Sequence, residues 1–530
     1  MILTIALISI VICIIAAYIW SINNRYDYFK RLGISGPPHH FFFGHYKILW
    51  SIKSLSKQLQ EWTRQYGSIY GLFMGTTPMY VVSDVDFLQE VYIKQFSSFH
   101  SRIIARALRT ESPGRVNLFR SIGARWRRQR HVLNPTFSSA KLKLMSPLVN
   151  RSIGAMLNKI SQITNNEHKE INIYDLYQRL TMDVICRCAF GIDTDMQNDI
   201  NNPYLQKSAA ILKIDVDELL FIRLSNLMPI LARPLHDIFF GMAHIRNKLV
   251  ELIPFMSNYL KESPDVWLLN RVQDVVDLRM KSSANLKNRV DLLQLMMDAT
   301  TNDKVIDHAD DHLTPKVLRS DELLPNIFLF MVAGYETTST ALAYSTYVLA
   351  TKPEIQDKLI EEINHNNGNN NNDIEEDYEI ANNLSYLDFF VREVLRMYPI
   401  TVKAMTRECN TTTVVCGHKV EKGSIIQPDI LSIHYNPDLW GPEDPNLFIP
   451  ERHAVKRHPI AWMPFGVGPR NCIGMRFALM ELKMCLIQLL RQYRILPGDN
   501  IEEGFKRQEK LVIQPAAIFV KLEKHSPPST

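Results

Sequence analysis

The segment DELLPNIFLFMVAGYETTSTALAYSTYVLAT, Asp321 to Thr351, is predominantly apolar and helix-like over 31 residues. At ~1.5 Å per residue it would extend about 46 Å as one helix. Asn326 and Glu336 make it too polar for a membrane span, so it is read as a helix crossing the inside of a large domain. Ser320 followed by Asp321 and Glu322 marks its start, a capping type and then carboxylates that suit the positive helix end. The rest of the chain can wrap such a helix: 46% of its 530 residues are hydrophobic and 22% charged, ample for one large core.

Helical periodicity dominates from about Phe87 to about residue 400. Strand-like pieces flank it at Ile69–Phe73 and Met79–Ser83, with Gly75–Pro78 as a turn, and at Thr412–Val415, Gly423–Gln427 and Ile518–Leu522. The fold class is mainly α with small β-sheets (α+β), one large helix-rich domain without internal repeats. Asn364–Asn372 has no core-forming residue and reads as a solvated loop between helices.

Ile2–Trp20 is a run of 19 residues without charge. As a helix it would span about 29 Å, close to the ~30 Å hydrocarbon core of a bilayer. Arg25, Lys30 and Arg31 follow it, which places the rest of the chain on the cytosolic side. A cleaved signal peptide is the rival reading; it wants a basic start and a shorter apolar stretch. The expected organisation is an anchor at 1–21, a linker with the Pro-rich hinge Gly33–His40 at 22–48, and the catalytic domain at 49–530. Net charge is +5, too mild for a nucleic-acid binder. Seven cysteines without a C-x-x-C pair give neither a disulfide scaffold nor a zinc or iron–sulfur site, and point to a reducing compartment.

Near the C-terminus PFGVGPRNCIG, Pro464–Gly474, crowds bending residues and a cation around Cys472. Three readings compete. As a nucleotide loop it fails, because Asn471 stands where the third glycine belongs. A buried structural cysteine is the bland reading. An axial thiolate ligand to haem iron explains more of the neighbours. A strong amphipathic helix follows Cys472 and would stabilise a thiolate with its free N–H groups. Arg470 suits a propionate, Gly468 and Gly474 permit close approach to a flat macrocycle, and Phe465 could cover the sulfur side.

Phe465-x-x-Gly468-x-Arg470-x-Cys472-x-Gly474 resembles the haem-binding signature F-x-x-G-x-R-x-C-x-G of the cytochrome P450 family. GPRNCIGMRFALMELK is especially similar to the branch with the animal family 3 drug-metabolising enzymes and thromboxane synthase. The resemblance covers essentially the whole chain and implies the cytochrome P450 fold, with haem b held by the Cys472 thiolate. It places Phe465, Gly466, Arg470, Gly474 and Ala333 against the haem. Trp126 and Arg130, one helical turn apart, resemble the family's W-x-x-x-R propionate clamp. Arg407 resembles a further propionate arginine, and Arg102 is a weaker candidate. Glu393-x-x-Arg396 and Arg452 in FIPERH resemble the family's buried Glu–Arg–Arg network, a scaffold without a chemical role.

Ala333-Gly334-Tyr335-Glu336-Thr337-Thr338 resembles the A-G-x-[D/E]-T motif. The Thr337 hydroxyl can bond the Ala333 carbonyl and open the helix locally. A carboxylate beside it, Glu336, could relay protons. Plain helix packing through small residues, with Glu336 in a salt bridge, is the alternative.

The implied reaction is monooxygenation of a lipophilic molecule such as a sterol, fatty acid or xenobiotic. Electrons would come from NADPH–cytochrome P450 reductase, with cytochrome b5 as an optional further partner. Arg125, Arg127 and Arg128 offer that reductase a basic face, a solvated face being the rival. Family position puts the pocket walls at Ile103–Asn117, Asp215–Leu231, Ile400–Met405 and Leu511–Gln514; Lys403 there could meet a substrate carboxylate, an outward-pointing lysine being the favoured reading. The resemblance implies the endoplasmic reticulum membrane, with a single-pass anchor in membrane lipid. Two other functions remain open at this stage: a peroxide-rearranging isomerase like thromboxane synthase, and a non-catalytic membrane haem protein.

Overall fold

The computed structural model describes residues 2–109, 116–164, 169–253, 255, 262–281, 291–303, 305, 307, 316–366 and 374–525. Residues 367–372 of the Asn-rich patch and residues 110–115 of one expected pocket wall lie outside these. The long apolar segment forms one helix, Ser320–Thr351, of 32 residues. Its flanks are buried along most of its length, so the hydrophobic effect and not local propensity holds it straight through the core. The helices Ile173–Ile185 and Met475–Gln492 pack against it. Cys186, Cys188 and Cys485 are buried apolar fillers there.

Asn326 accepts the backbone N–H of Leu118 at 2.8 Å and donates to the Glu322 carbonyl at 2.8 Å. That satisfied amide is why a polar residue survives inside the helix. Glu322 serves the same end in charged form. It receives Arg128 through two nitrogens at 2.8 Å each and Arg125 Nε at 2.7 Å.

The largest sheet has four strands in the order Ile69–Met74, Thr77–Val82, Ile425–Pro428, Arg407–Glu408. Gly75, at φ +61°, and Thr76 turn the first hairpin, a shorter turn than Gly75–Pro78. Ile425–Pro428 adds parallel to Thr77–Val82 and Arg407–Glu408 antiparallel to it. A three-stranded sheet joins Tyr493–Pro497, Phe519–Lys524 and Ile171–Asn172.

The N-terminal apolar run is a helix, Ile2–Tyr26, exposed along almost all of its apolar length. It extends past the expected anchor. Ile22 and Tyr26 are already buried with Phe29, Phe73 and Tyr80 against the four-stranded sheet. Within the expected linker Ile22, Tyr26, Tyr28, Phe29, Ile34, His45 and Tyr46 are buried. The Phe29 ring lies where a Cβ on Gly71 would sit, within 2.3 Å. His45 receives the Phe73 N–H on Nδ1 at 2.8 Å, so its Nε2–H donates to the Pro37 carbonyl at 2.9 Å. Burial lowers its pKa, against the pull of these two bonds.

Candidate active site

The loop Pro464–Gly474 folds back on itself before the helix Met475–Gln492 begins. The Cys472 N–H donates to the Phe465 carbonyl at 2.8 Å, and the Asn471 N–H to that of Gly468 at 3.1 Å. Gly466 and Gly468 hold φ of +69° and +72°, conformations closed to most side chains. Gly468 does more than turn. A Cβ there would lie 2.0 Å from the Tyr92 carbonyl oxygen. Its smallness serves this approach within the protein, where the sequence pointed to a macrocycle. Gly474, by contrast, has only the Phe137 ring near, 3.9 Å from a Cβ position. Gly468→Ala is expected to lower stability by more than ~2 kcal/mol through strain and clash. Urea denaturation measures it, and an unchanged midpoint would contradict the account.

Cys472 is exposed, yet protein surrounds it closely enough that burial pushes its thiol pKa up. Its sulfur therefore faces an internal space. The Gly474 backbone N–H at the helix start, and then Arg130 and Arg102, favour the thiolate against that burial. The sequence pointed to the helix end; the effect of Arg130 and Arg102 on the sulfur was not among its expectations.

Four arginines, Arg102, Arg130, Arg407 and Arg470, gather around this loop. Burial, reinforced by their mutual repulsion, holds Arg102 down at about 9 and Arg470 at about 8. Arg130 donates to the Asn471 carbonyl and side-chain oxygens, both at 2.8 Å. Arg470 donates to the His100 and Ser121 carbonyls and lies over the Trp126 ring at 5.1 Å. Arg407 is 1% exposed and lies over the Tyr92 ring at 4.7 Å. Among the described residues none of the four is paired with a carboxylate, and the Nε atoms of Arg102, Arg407 and Arg470 have no partner. Buried guanidinium groups so arranged call for an anion from outside the chain.

The central helix reaches the loop through Phe137. Its ring faces Gly474 and meets Phe330, one turn before Gly334, at 5.4 Å between centroids. Here Ala333 is exposed in mid-helix while Met331, Tyr335 and Glu336 are buried, so the helix opens on an internal space at this point. The Thr337 hydroxyl donates to the Ala333 carbonyl at 2.7 Å, the bond expected from the sequence. Gly334 does not leave room beside the backbone: a Cβ there would meet Ile185 Cδ1 at 2.5 Å. Glu336 and Thr337, adjacent in sequence, part company. Glu336 is 2% exposed and accepts from Tyr174 Oη and from Gln178 Nε2 at 3.2 Å, on the side of helix Ile173–Ile185. Burial raises its pKa against these two donors and Lys213.

Arg128 is 1% exposed and bound to Glu322 and to Asp307 at 2.6 Å, and Arg125 is bound to Glu322. The structure thus removes Arg128 from any docking face and ties Arg125 inward; Arg127 stays exposed. The signal for this lies 194 residues away at Glu322, where local sequence cannot show it. Lys403 is held at 3.2 Å by both Asp215 and Asp217 and is not available to a substrate carboxylate. The described parts of the expected walls do meet. Ala107 N–H donates to Ser225 Oγ at 3.3 Å, and Ile513 N–H to the Ile400 carbonyl at 2.7 Å.

A family model described as Cytochrome P450 matches residues 34–522. The chain belongs to the cytochrome P450 family. A protein named Putative cytochrome P450 CYP13A2, from Caenorhabditis elegans, is 33% identical over 531 residues, 97% of each chain. Cytochrome P450 3A31 of Mesocricetus auratus is 33% identical over 511 residues, 93% of this chain and 91% of its own. Cytochrome P450 3A2 of Rattus norvegicus is 31% identical over 505 residues, again 93% and 91%. The fold and enzyme class read from the sequence stand: this is a haem monooxygenase with haem b on a cysteine thiolate. A cytochrome P450 needs a redox partner and takes lipophilic substrates in general.

The residues present fit that cofactor. Haem b carries two propionates, which answer the uncompensated Arg102, Arg130, Arg407 and Arg470. A thiol facing an internal space beside a helix start answers its iron.

Proposed function

We propose that Cys472 is the axial thiolate of a membrane-bound monooxygenase that inserts one atom of dioxygen into a lipophilic substrate. The observation that carries this is the unpaired arginine group around a cysteine that faces inward at a helix start. Iron with a thiolate ligand supplies the oxygen activation, electron density from sulfur favouring O–O cleavage. Arg102, Arg130, Arg407 and Arg470, with Trp126, would hold the propionates. Phe465, Gly466 and Gly474 would border the sulfur face, and Ala333 the opposite face. Thr337 presents a hydroxyl where the helix opens, and the adjacent Glu336 would exchange protons with it, burial raising its pKa against the Tyr174 and Gln178 bonds.

NADPH–cytochrome P450 reductase would supply the electrons, with cytochrome b5 as an optional further donor. The exposed helix Leu3–Tyr26 supports a bilayer anchor in the endoplasmic reticulum with the domain on the cytosolic side. Because Ile22 and Tyr26 are buried against the sheet, that anchor would hold the domain in a set orientation to the lipid. The substrate would be a sterol, fatty acid or xenobiotic, bounded by the meeting walls near Ala107, Ser225, Ile400 and Ile513.

Thr337→Ala is expected to consume NADPH at a comparable rate while diverting most oxygen to hydrogen peroxide. Product and peroxide measured per NADPH test this. Coupling equal to wild type would remove Thr337 from proton delivery.

A further inference from the structure

Where the central helix meets the helix Ile173–Ile185 lies a chain of hydroxyls that the reaction as described does not use. Tyr174, on the helix Ile173–Ile185, donates its hydroxyl proton to Glu336 Oε1. Thr340 Oγ1 lies 3.3 Å from the same tyrosine oxygen. Where Tyr174 donates to the ionised Glu336, Thr340 donates in turn to Tyr174. All three groups are buried, and Gln178 Nε2 completes the cradle with bonds of 3.2 and 3.4 Å to the two carboxylate oxygens. The Thr337 hydroxyl is spent on the Ala333 carbonyl. Glu336 is thus held by a neighbouring helix and not by Thr337, its partner in sequence.

We propose that Tyr174 is a positioning residue for Glu336, seating its carboxyl against the helix Ile173–Ile185 and setting when that carboxyl can pass a proton toward Thr337. This rests on the reading of Glu336 and Thr337 as the proton-delivering pair. The charged and titratable groups around the carboxyl are few. Lys213 lies nearby on an exposed stretch, Tyr335 adjoins it on its own helix, and Asp175 acts on Tyr335. Half-buried Gln178 and exposed Lys213 mark the side from which solvent can restore a proton lost by Glu336. The step moves one proton, from the Glu336 carboxyl inward, and returns one from water on that outer side.

The Tyr174 hydrogen bond favours the charged carboxylate, so its removal must push the Glu336 pKa further up. The test is infrared spectroscopy of the resting holoenzyme across pH. The protonated Glu336 carboxyl is identified as the C=O band lost in Glu336→Gln. In Tyr174→Phe, which keeps the ring and deletes the hydroxyl, that band should move to higher frequency and persist to higher pH. In turnover the same variant should release a larger share of NADPH electrons as peroxide, toward the level of Glu336→Gln. A band unmoved in frequency and pH midpoint overturns the proposal. So does a moved band with wild-type coupling while Glu336→Gln is uncoupled. If Glu336→Gln itself couples like wild type, the proton-delivering pair fails first, a result distinct from both. A thermal midpoint close to wild type in Tyr174→Phe separates positioning from loss of packing.

Discussion

Cys472→Ser is expected to abolish monooxygenation while leaving the chain folded. Serine replaces sulfur by oxygen at nearly the same volume, and the bond from the residue's own N–H to the Phe465 carbonyl is untouched. The glycine turns, the Arg130–Asn471 bonds and the following helix do not depend on the sulfur. What is lost is the group that the Gly474 N–H, Arg130 and Arg102 favour in charged form. A serine hydroxyl has far too high a pKa to take that place and pushes less electron density onto iron. Product formation with a redox partner should fall to background, and the far-ultraviolet circular dichroism spectrum should match wild type. Product at a wild-type rate would contradict the assignment.

Glu393→Ala carries the largest expected cost in stability, about 3–5 kcal/mol. Glu393, fully buried, accepts from Arg396 at 2.8 Å on each oxygen, from Arg452 Nε at 3.0 Å and from the Ile449 N–H at 3.1 Å. His453 Nε2 lies 2.9 Å from its other oxygen. Removing the carboxylate strands two buried guanidinium groups. Their remaining bonds, to the His434 and Trp440 carbonyls among others, satisfy hydrogens but not charge. Burial raises the Glu393 pKa, but Arg396 and His453 outweigh it and hold it down to about 2. Its ionised form therefore stabilises the fold fully above the ordinary glutamate range, and this contribution is lost as pH falls toward about 2. Glu393→Ala should flatten that part of the acid limb as well as lowering the urea midpoint. A variant as stable as wild type at neutral pH would show that the network is not a support.

The Cys472 loop was legible because its chemistry is local: ten consecutive positions fix the turn, the cation and the ligand. The Thr337–Ala333 bond was legible for the same reason, since helix geometry dictates it. The Trp126 and Arg130 spacing on one helix face carried over to a shared approach to the loop, one through Arg470 and the other through Asn471. Charges in RWRRQRHVL could not be sorted by local pattern. Arg128 turns inward because Glu322 and Asp307, distant in the chain, wait there, while Arg127 next to it is exposed. The partners of Lys403 were hidden in the same way, Asp215 and Asp217 lying nearly two hundred residues upstream. Glu336 could be placed on the helix but its direction could not, because Tyr174 and Gln178 decide that from another helix.

The ferrous–carbon monoxide spectrum of the purified wild-type protein tests the central claim most directly. A Soret band at the strongly red-shifted position of a thiolate-ligated haem, absent from Cys472→Ser, is the predicted result. A band at the position of imidazole ligation, or a thiolate band that survives in Cys472→Ser, would contradict it.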